Sequence, residues 1–160
     1  SEEPPFFRSD EMGSAVHAAS LERPVKLMIA LEMIGYYDST PGSQDYPSPA
    51  MSWLYPDRGD FIAVVGRMQD INAVRQVKAA LLSSRDLSVY SMNAPGFIPG
   101  IDFSDHFNYW KYDIPAVMIT DTAFYRNKQY HFPGDIADRL NYQKMAQVVD
   151  GVTTLLYNSK

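Results

Sequence analysis

The sequence contains no cysteine in its 160 residues. That removes any disulfide framework and any thiolate metal site, so a bound metal has only His, Asp and Glu to use. Histidine is itself scarce: His17, His106 and His131 are the three in the chain. The formal charge of −5, with no Lys/Arg stripe, excludes a nucleic-acid face, which needs clustered cations to displace counterions. No apolar run approaches the roughly 20 residues of a membrane helix. The longest one, Val25 to Ile34, is broken by Lys26 and Glu32. A chain that is 46% hydrophobic and 13% aromatic predicts one globular domain over residues 1–160, burying roughly 70% of its unfolded surface.

What is present alternates between strand-like and helix-like stretches. Ser9 is a suitable N-cap for a helix from Asp10 to about Leu21, ended by Glu22-Arg23-Pro24. Val25 to Tyr37 reads as a buried strand. Residues 38–60 carry Pro41, Pro47, Pro49 and Pro56 with Tyr46, Trp53 and Tyr55, a long loop whose aromatics suit a lid or cleft wall. Phe61 to Val65 is a second strand, and Asp70 caps a helix through Ile71, Val74, Val77 and Leu81. Leu87 to Met92 is a third strand, Ser104 opens a helix to about Tyr112, and Ala116 to Thr120 is a fourth strand. Asn141 to about Tyr157 is a last helix, with Met145, Val148, Val149, Val152, Leu155 and Leu156 facing inward. Strand and helix at this spacing predict an α/β fold, three layers around a mostly parallel mixed sheet.

The residues able to do chemistry gather at 104–138. Ser104-Asp105-His106 opens the stretch, the apolar run to Ile119 delivers Thr120-Asp121-Thr122, and Tyr130-His131-Phe132-Pro133-Gly134-Asp135 closes it. Loops at strand ends are where α/β proteins keep their sites. Glu32 lies inside an apolar strand, where an unpaired carboxylate costs several kcal/mol, so it requires a metal, a cationic partner or a neutral state, the plain reading being an edge position or a salt bridge to Lys or Arg. His131 is either a ligand backed by Asp135 or a structural or solvated loop residue. His106, beside Asp105 at a helix start, is a ligand, a base or a cap neighbour, and His17 reads as surface.

Together the blocks Glu2-Glu3-Pro4-Pro5-Phe6-Phe7, Leu31-Glu32-Met33-Ile34-Gly35, Ser104-Asp105-His106, Thr120 to Asn127 and Tyr130-His131 with Pro133 and Asp135 resemble the M28 zinc metallopeptidases. The resemblance runs through essentially the whole chain in order. It implies a three-layer zinc-exopeptidase fold and hydrolysis of an N-terminal peptide bond through a metal-activated water. On this pattern Glu2 would be the general base and Glu3, Glu32 and His131 metal ligands, with Glu32 standing where the family usually has aspartate. Tyr130 would polarise the scissile carbonyl, and Asp105 and Asp135 would support the ligands from behind. Phe97 and Phe124 would line an apolar substrate pocket, and Arg126 would hold a substrate carboxylate or else form a salt bridge.

The family's upstream His and bridging Asp have no counterpart here, because the chain starts at the double glutamate. The resemblance therefore implies a C-terminal portion of a peptidase domain. Of the two zinc ions of an intact site, one or none is expected in this chain. The sheet is expected to have an open apolar edge, covered by self-association or by an N-terminal half. The expected partner is a peptide substrate, with no nucleic acid and no membrane; localisation stays open, export being the family-level expectation. A glutaminyl-cyclase-like zinc acyltransferase, a non-catalytic relative of the receptor-ectodomain type and a plain binding module are the alternatives.

Overall fold

The computed structural model describes residues 5–96 and 98–158, so Glu2, Glu3 and Phe97 lie outside the described residues. Four strands form one sheet: β1 (Met28–Glu32), β2 (Phe61–Gly66), β3 (Ser88–Asn93) and β4 (Ala116–Thr120), in the order β1-β4-β2-β3. β1 pairs with β4 in parallel, β2 with β3 in parallel, and β2 with β4 antiparallel. The sheet is thus mixed and mostly parallel. The two central strands are buried at every position, as expected of continuous apolar runs covered on both faces.

One face carries Ile62, Val64, Val89, Val117 and Ile119, covered by helices α2 (Ile71–Leu81) and α4 (Tyr142–Asn158). The two helices contribute Val74, Val77, Leu81, Val148 and Leu155 to this core. They meet at Gly151, where an added Cβ would sit 2.8 Å from the Leu81 Cα, so only glycine permits the close approach. On the other face, Phe61, Ala63, Val65 and Met118 pack with Ala94 and Ile101. The short helices α1 (Gly13–Ala19) and α3 (His106–Trp110) lie beside β1 and β4 on Ala18, Tyr109 and Ala116.

Several sequence expectations need correction. The first strand is Met28–Glu32 rather than 25–37, because Met33 turns to φ 50° and leaves the extended region. α1 begins at Gly13, and the Ser9 hydroxyl bonds the Phe6 carbonyl instead of capping it. Asp70 precedes α2, but its carboxylate takes Arg67 rather than a helix amide. α3 is shorter than 104–112. In α4, Val149 and Leu156 are 51% and 65% exposed, so the inward stripe is Val148, Gly151 and Leu155. The 38–60 segment is irregular, as expected, apart from a 3₁₀ turn at Pro49–Trp53 and a bridge between Asp38 and Gly59. β1 is an edge of the sheet, with Leu31 half exposed.

The crossing at Gly151 gives a test by urea denaturation. Gly→Ala in an exposed helix gains about 1 kcal/mol, but Gly151→Ala is expected to lose about 1–3 kcal/mol through overpacking. A gain in stability would show that α2 and α4 are not in this close contact.

Candidate active site

A cavity of about 430 Å³ opens on the sheet face that α2 and α4 leave uncovered. Its floor is the set of alternate residues Phe61, Ala63, Val65, Tyr90, Met92 and Met118 from three strands, which a period-2 pleat places on one side. Glu32 and Thr120 stand at the carboxyl ends of β1 and β4, paired in register, and both line the cavity. The 38–60 loop supplies one wall through Gln44, Tyr46, Met51 and Tyr55. Phe103, Asp105, Phe124, Tyr130 and His131 also line it.

The structure therefore brings together Glu32, Asp105, Phe124, Tyr130 and His131 around one cavity. His131 is exposed and adopts φ 62°, and its ring stacks on Tyr130 at 4.0 Å between centroids. Asp105 keeps one carboxylate oxygen buried with no hydrogen bond among the described residues. Two expected residues lie elsewhere. Arg126, expected at a substrate carboxylate or in a salt bridge, is sealed into the scaffold. It is 3% exposed and donates to Gln44 Oε1 and to the Tyr36 and Phe61 carbonyls at 2.9–3.0 Å. Asp135, expected behind His131, accepts instead from Asn127 Nδ2 at 2.8 Å.

Sequence reasoning assigned no role to Asp121, though it sits in the polar triplet that follows an apolar strand. It is 1% exposed and accepts the backbone amides of Gly35, Tyr36 and Ala123 at 3.1, 2.8 and 2.9 Å. Burial pushes its carboxyl up to about 6, against the pull of those amides and of Arg126. His106 is fully buried, its Nε2 2.7 Å from the Ile101 carbonyl and its ring edge-on to Trp110. Burial holds its imidazole down at about 4, only partly offset by that carbonyl and by nearby carboxylates. A neutral, enclosed His106 is a structural group, not a surface base.

As donors, a carboxylate and an imidazole suit zinc in kind. Glu32 and His131 provide one of each at the cavity, but no group of three His, Cys, Asp or Glu able to hold a metal occurs among the described residues. The described residues alone do not complete a four-coordinate site.

The family model for peptidase family M28 matches residues 6–156. The uncharacterized protein YfbL of Escherichia coli (strain K12) is 92% identical over 160 residues, which is 100% of this chain and 50% of that protein. Among solved structures, the LapA aminopeptidase of Legionella pneumophila superposes with a TM-score of 0.60 at 19% identity, covering 89% of this chain and 35% of that one. BSAP, a zinc aminopeptidase from Bacillus subtilis, gives 0.61 at 18% identity, covering 92% and 32%. At such identities the likeness is one of fold. The chain spans about half the length of the curated relative it matches.

The two buried groups make opposite contributions to stability. Asp121 stabilises the fold fully below its ordinary 3.8 and loses that contribution as pH rises through about 6. His106 contributes fully above its ordinary 6.5 and loses it as pH falls toward about 4. Between about pH 4 and 6 their slopes oppose each other. Chemical denaturation across this window should show Asp121→Asn losing stability more steeply on acidification than the wild type. Equal slopes would show that Asp121 is already ionised at the bottom of the window.

Proposed function

The chain belongs to peptidase family M28, and from that premise we propose that it carries the substrate-binding side of a zinc-dependent aminopeptidase site. The supporting observation is the character of the cavity. Its floor is apolar and aromatic, Glu32, Asp45 and Asp105 are its acidic residues, and no Lys or Arg is among its described lining residues. Such a cavity suits an apolar side chain attached to a free amine. A substrate carboxylate would need a cation, and Arg126 is committed to carbonyls.

In this reading the peptide's first side chain enters over Phe61, Ala63 and Met118, and burying it there contributes about 1.5–3 kcal/mol of binding. Its amine stays at the mouth, toward Glu32. Glu32 and His131, with Glu3, would hold zinc, which when bound would supply a Lewis acid and lower the pKa of the attacking water toward about 7. Glu2 would take the proton of the attacking water. The Tyr130 hydroxyl would donate to the scissile carbonyl, its ring kept in place by stacking on His131. The cavity excludes water around the apolar side chain and so orients the bond to be cut.

Zinc content by elemental analysis, with hydrolysis of leucine p-nitroanilide, tests the proposal in this chain and in a form extended to the relative's length. The extended form should contain zinc and cleave the free-amine substrate but not its N-acetyl derivative. Glu32→Gln and His131→Ala should each lower turnover by roughly two orders of magnitude or more. Cleavage of the acetylated compound at a similar rate would overturn the aminopeptidase reading. Cyclisation of an N-terminal glutamine peptide without amide hydrolysis would favour the acyltransferase alternative.

A further inference from the structure

The stretch that carries His131 is a turn with a closed base. Asn127, 1% exposed, receives the Gln129 amide and Arg139 Nη1 on its Oδ1, both at 3.0 Å, and donates from Nδ2 to Asp135 Oδ1 at 2.8 Å. Its backbone amide reaches the Ala123 carbonyl at 2.7 Å and its carbonyl takes the Tyr130 amide at 3.1 Å. Within the turn, Phe132 N–H bonds the Gln129 carbonyl and Asp135 N–H the Phe132 carbonyl, at 2.8 and 2.9 Å. Arg139 continues the connection inward. Its Nη1 also reaches the Gly134 carbonyl at 3.3 Å, its Nη2 donates to the Tyr36 hydroxyl at 2.9 Å, and its guanidinium lies over the Tyr36 ring at 4.8 Å. Tyr36 is the residue whose amide is held by Asp121.

We propose that Asn127 is the positioning residue for His131: through Asp135 and Arg139 it clasps the 127–135 turn shut and fixes it to the segment following β1, which sets His131 at the cavity that Glu32 also lines. The inference rests on the reading of His131 as a ligand and adds a residue that touches neither metal nor substrate. His131 has φ 62°, a conformation unfavourable for a residue with a Cβ. A turn closed at one end by a single amide with three side-chain bonds over-determines that backbone. An Asn is required rather than an Asp, because the same side chain must accept from an amide and a guanidinium while donating to a carboxylate. The Asp135 carboxylate thus acts on His131 at one remove, through the Asn127 amide.

The test is amide hydrogen exchange by NMR on the form extended to the relative's length, followed by titration of its His131 ring signals with zinc chloride. The variants are Asn127→Leu, which removes the bonds at similar volume; Asn127→Asp, which sets two carboxylates together; and the exchanged pair Asn127→Asp with Asp135→Asn. In both single variants the Phe132 and Asp135 amides should exchange about 10-fold faster or more while those of β2 and α4 keep their protection. Zinc should then bind about 10- to 100-fold more weakly at His131. The exchanged pair restores a donor facing an acceptor and should recover both properties, which a purely volume-filling role for Asn127 would not allow. Unchanged exchange in Asn127→Leu, or no recovery in the exchanged pair, would overturn the clasp. A His131 ring indifferent to zinc in the wild type would overturn the ligand reading instead, and the exchange data would still decide on the clasp.

Discussion

The Asp121 carboxylate, buried at the end of β4, is the interaction on which the rest of the site depends. Through three backbone amides it ties the segment after β1 to the segment after β4. β1 and β4 are parallel, so both strands deliver their chains at the same edge of the sheet, and without a buried acceptor those emerging amides would be left unpaired. Tyr36 shows how far the constraint reaches. Its amide goes to Asp121, its carbonyl takes Arg126 and its hydroxyl takes Arg139. The two guanidiniums belong to the loop that follows β4 and to the far side of the His131 turn. Tyr36, beyond the end of β1, is therefore held both by the loop that follows β4 and by the base of the His131 turn.

Backbone strain accumulates where these ties converge. Met33, Thr122, Ala123 and His131 all have positive φ without being glycine. Each is costly for a residue with a Cβ, and such residues persist only where the surroundings over-determine them. Here the surroundings are identifiable: the Asp121 amide donates to the Met33 carbonyl, the Ala123 amide reaches Asp121, and the Asn127 side chain closes the turn around His131. Glu32, the last residue of β1 before Met33, and His131 both line the cavity whose apolar floor comes from the sheet. Arg126, with the tight Gly59 beside it, binds the 38–60 loop to β2.

The elements governed by periodicity and apolar runs were legible in the sequence. β4 is the expected Ala116–Thr120, and α2 and α4 lie within a residue or so of their expected spans. The first strand was overextended because nothing in the local composition marks Met33 as left-handed; a carbonyl accepting from a residue 88 positions later decides it. In α4, residues 148, 151 and 155 face inward because Gly151 lets α2 approach, a tertiary effect that rotates the buried stripe away from Val149 and Leu156. The gathering of Glu32, Tyr130 and His131 followed from a family pattern rather than from their spacing. Asp121 and Asn127 were visible as polar residues after a strand, but their partners are distant in sequence or hidden in side-chain geometry. Arg126 misled for the same reason, since a loop arginine near a pocket reads as a ligand-binding cation until its carbonyl partners are known.

The account comes down to one placement: an apolar side chain over β2 and β4 with its amine at the Glu32–His131 mouth. Intermolecular nuclear Overhauser effects between L-leucine and the chain measure it directly. The account predicts contacts from the leucine methyl groups to Ala63, Phe61 and Met118, and from its Hα to Tyr130 and His131. Methyl contacts confined to the α2–α4 side of the sheet, or an inverted ligand with its Hα against Ala63 and Met118, would contradict it.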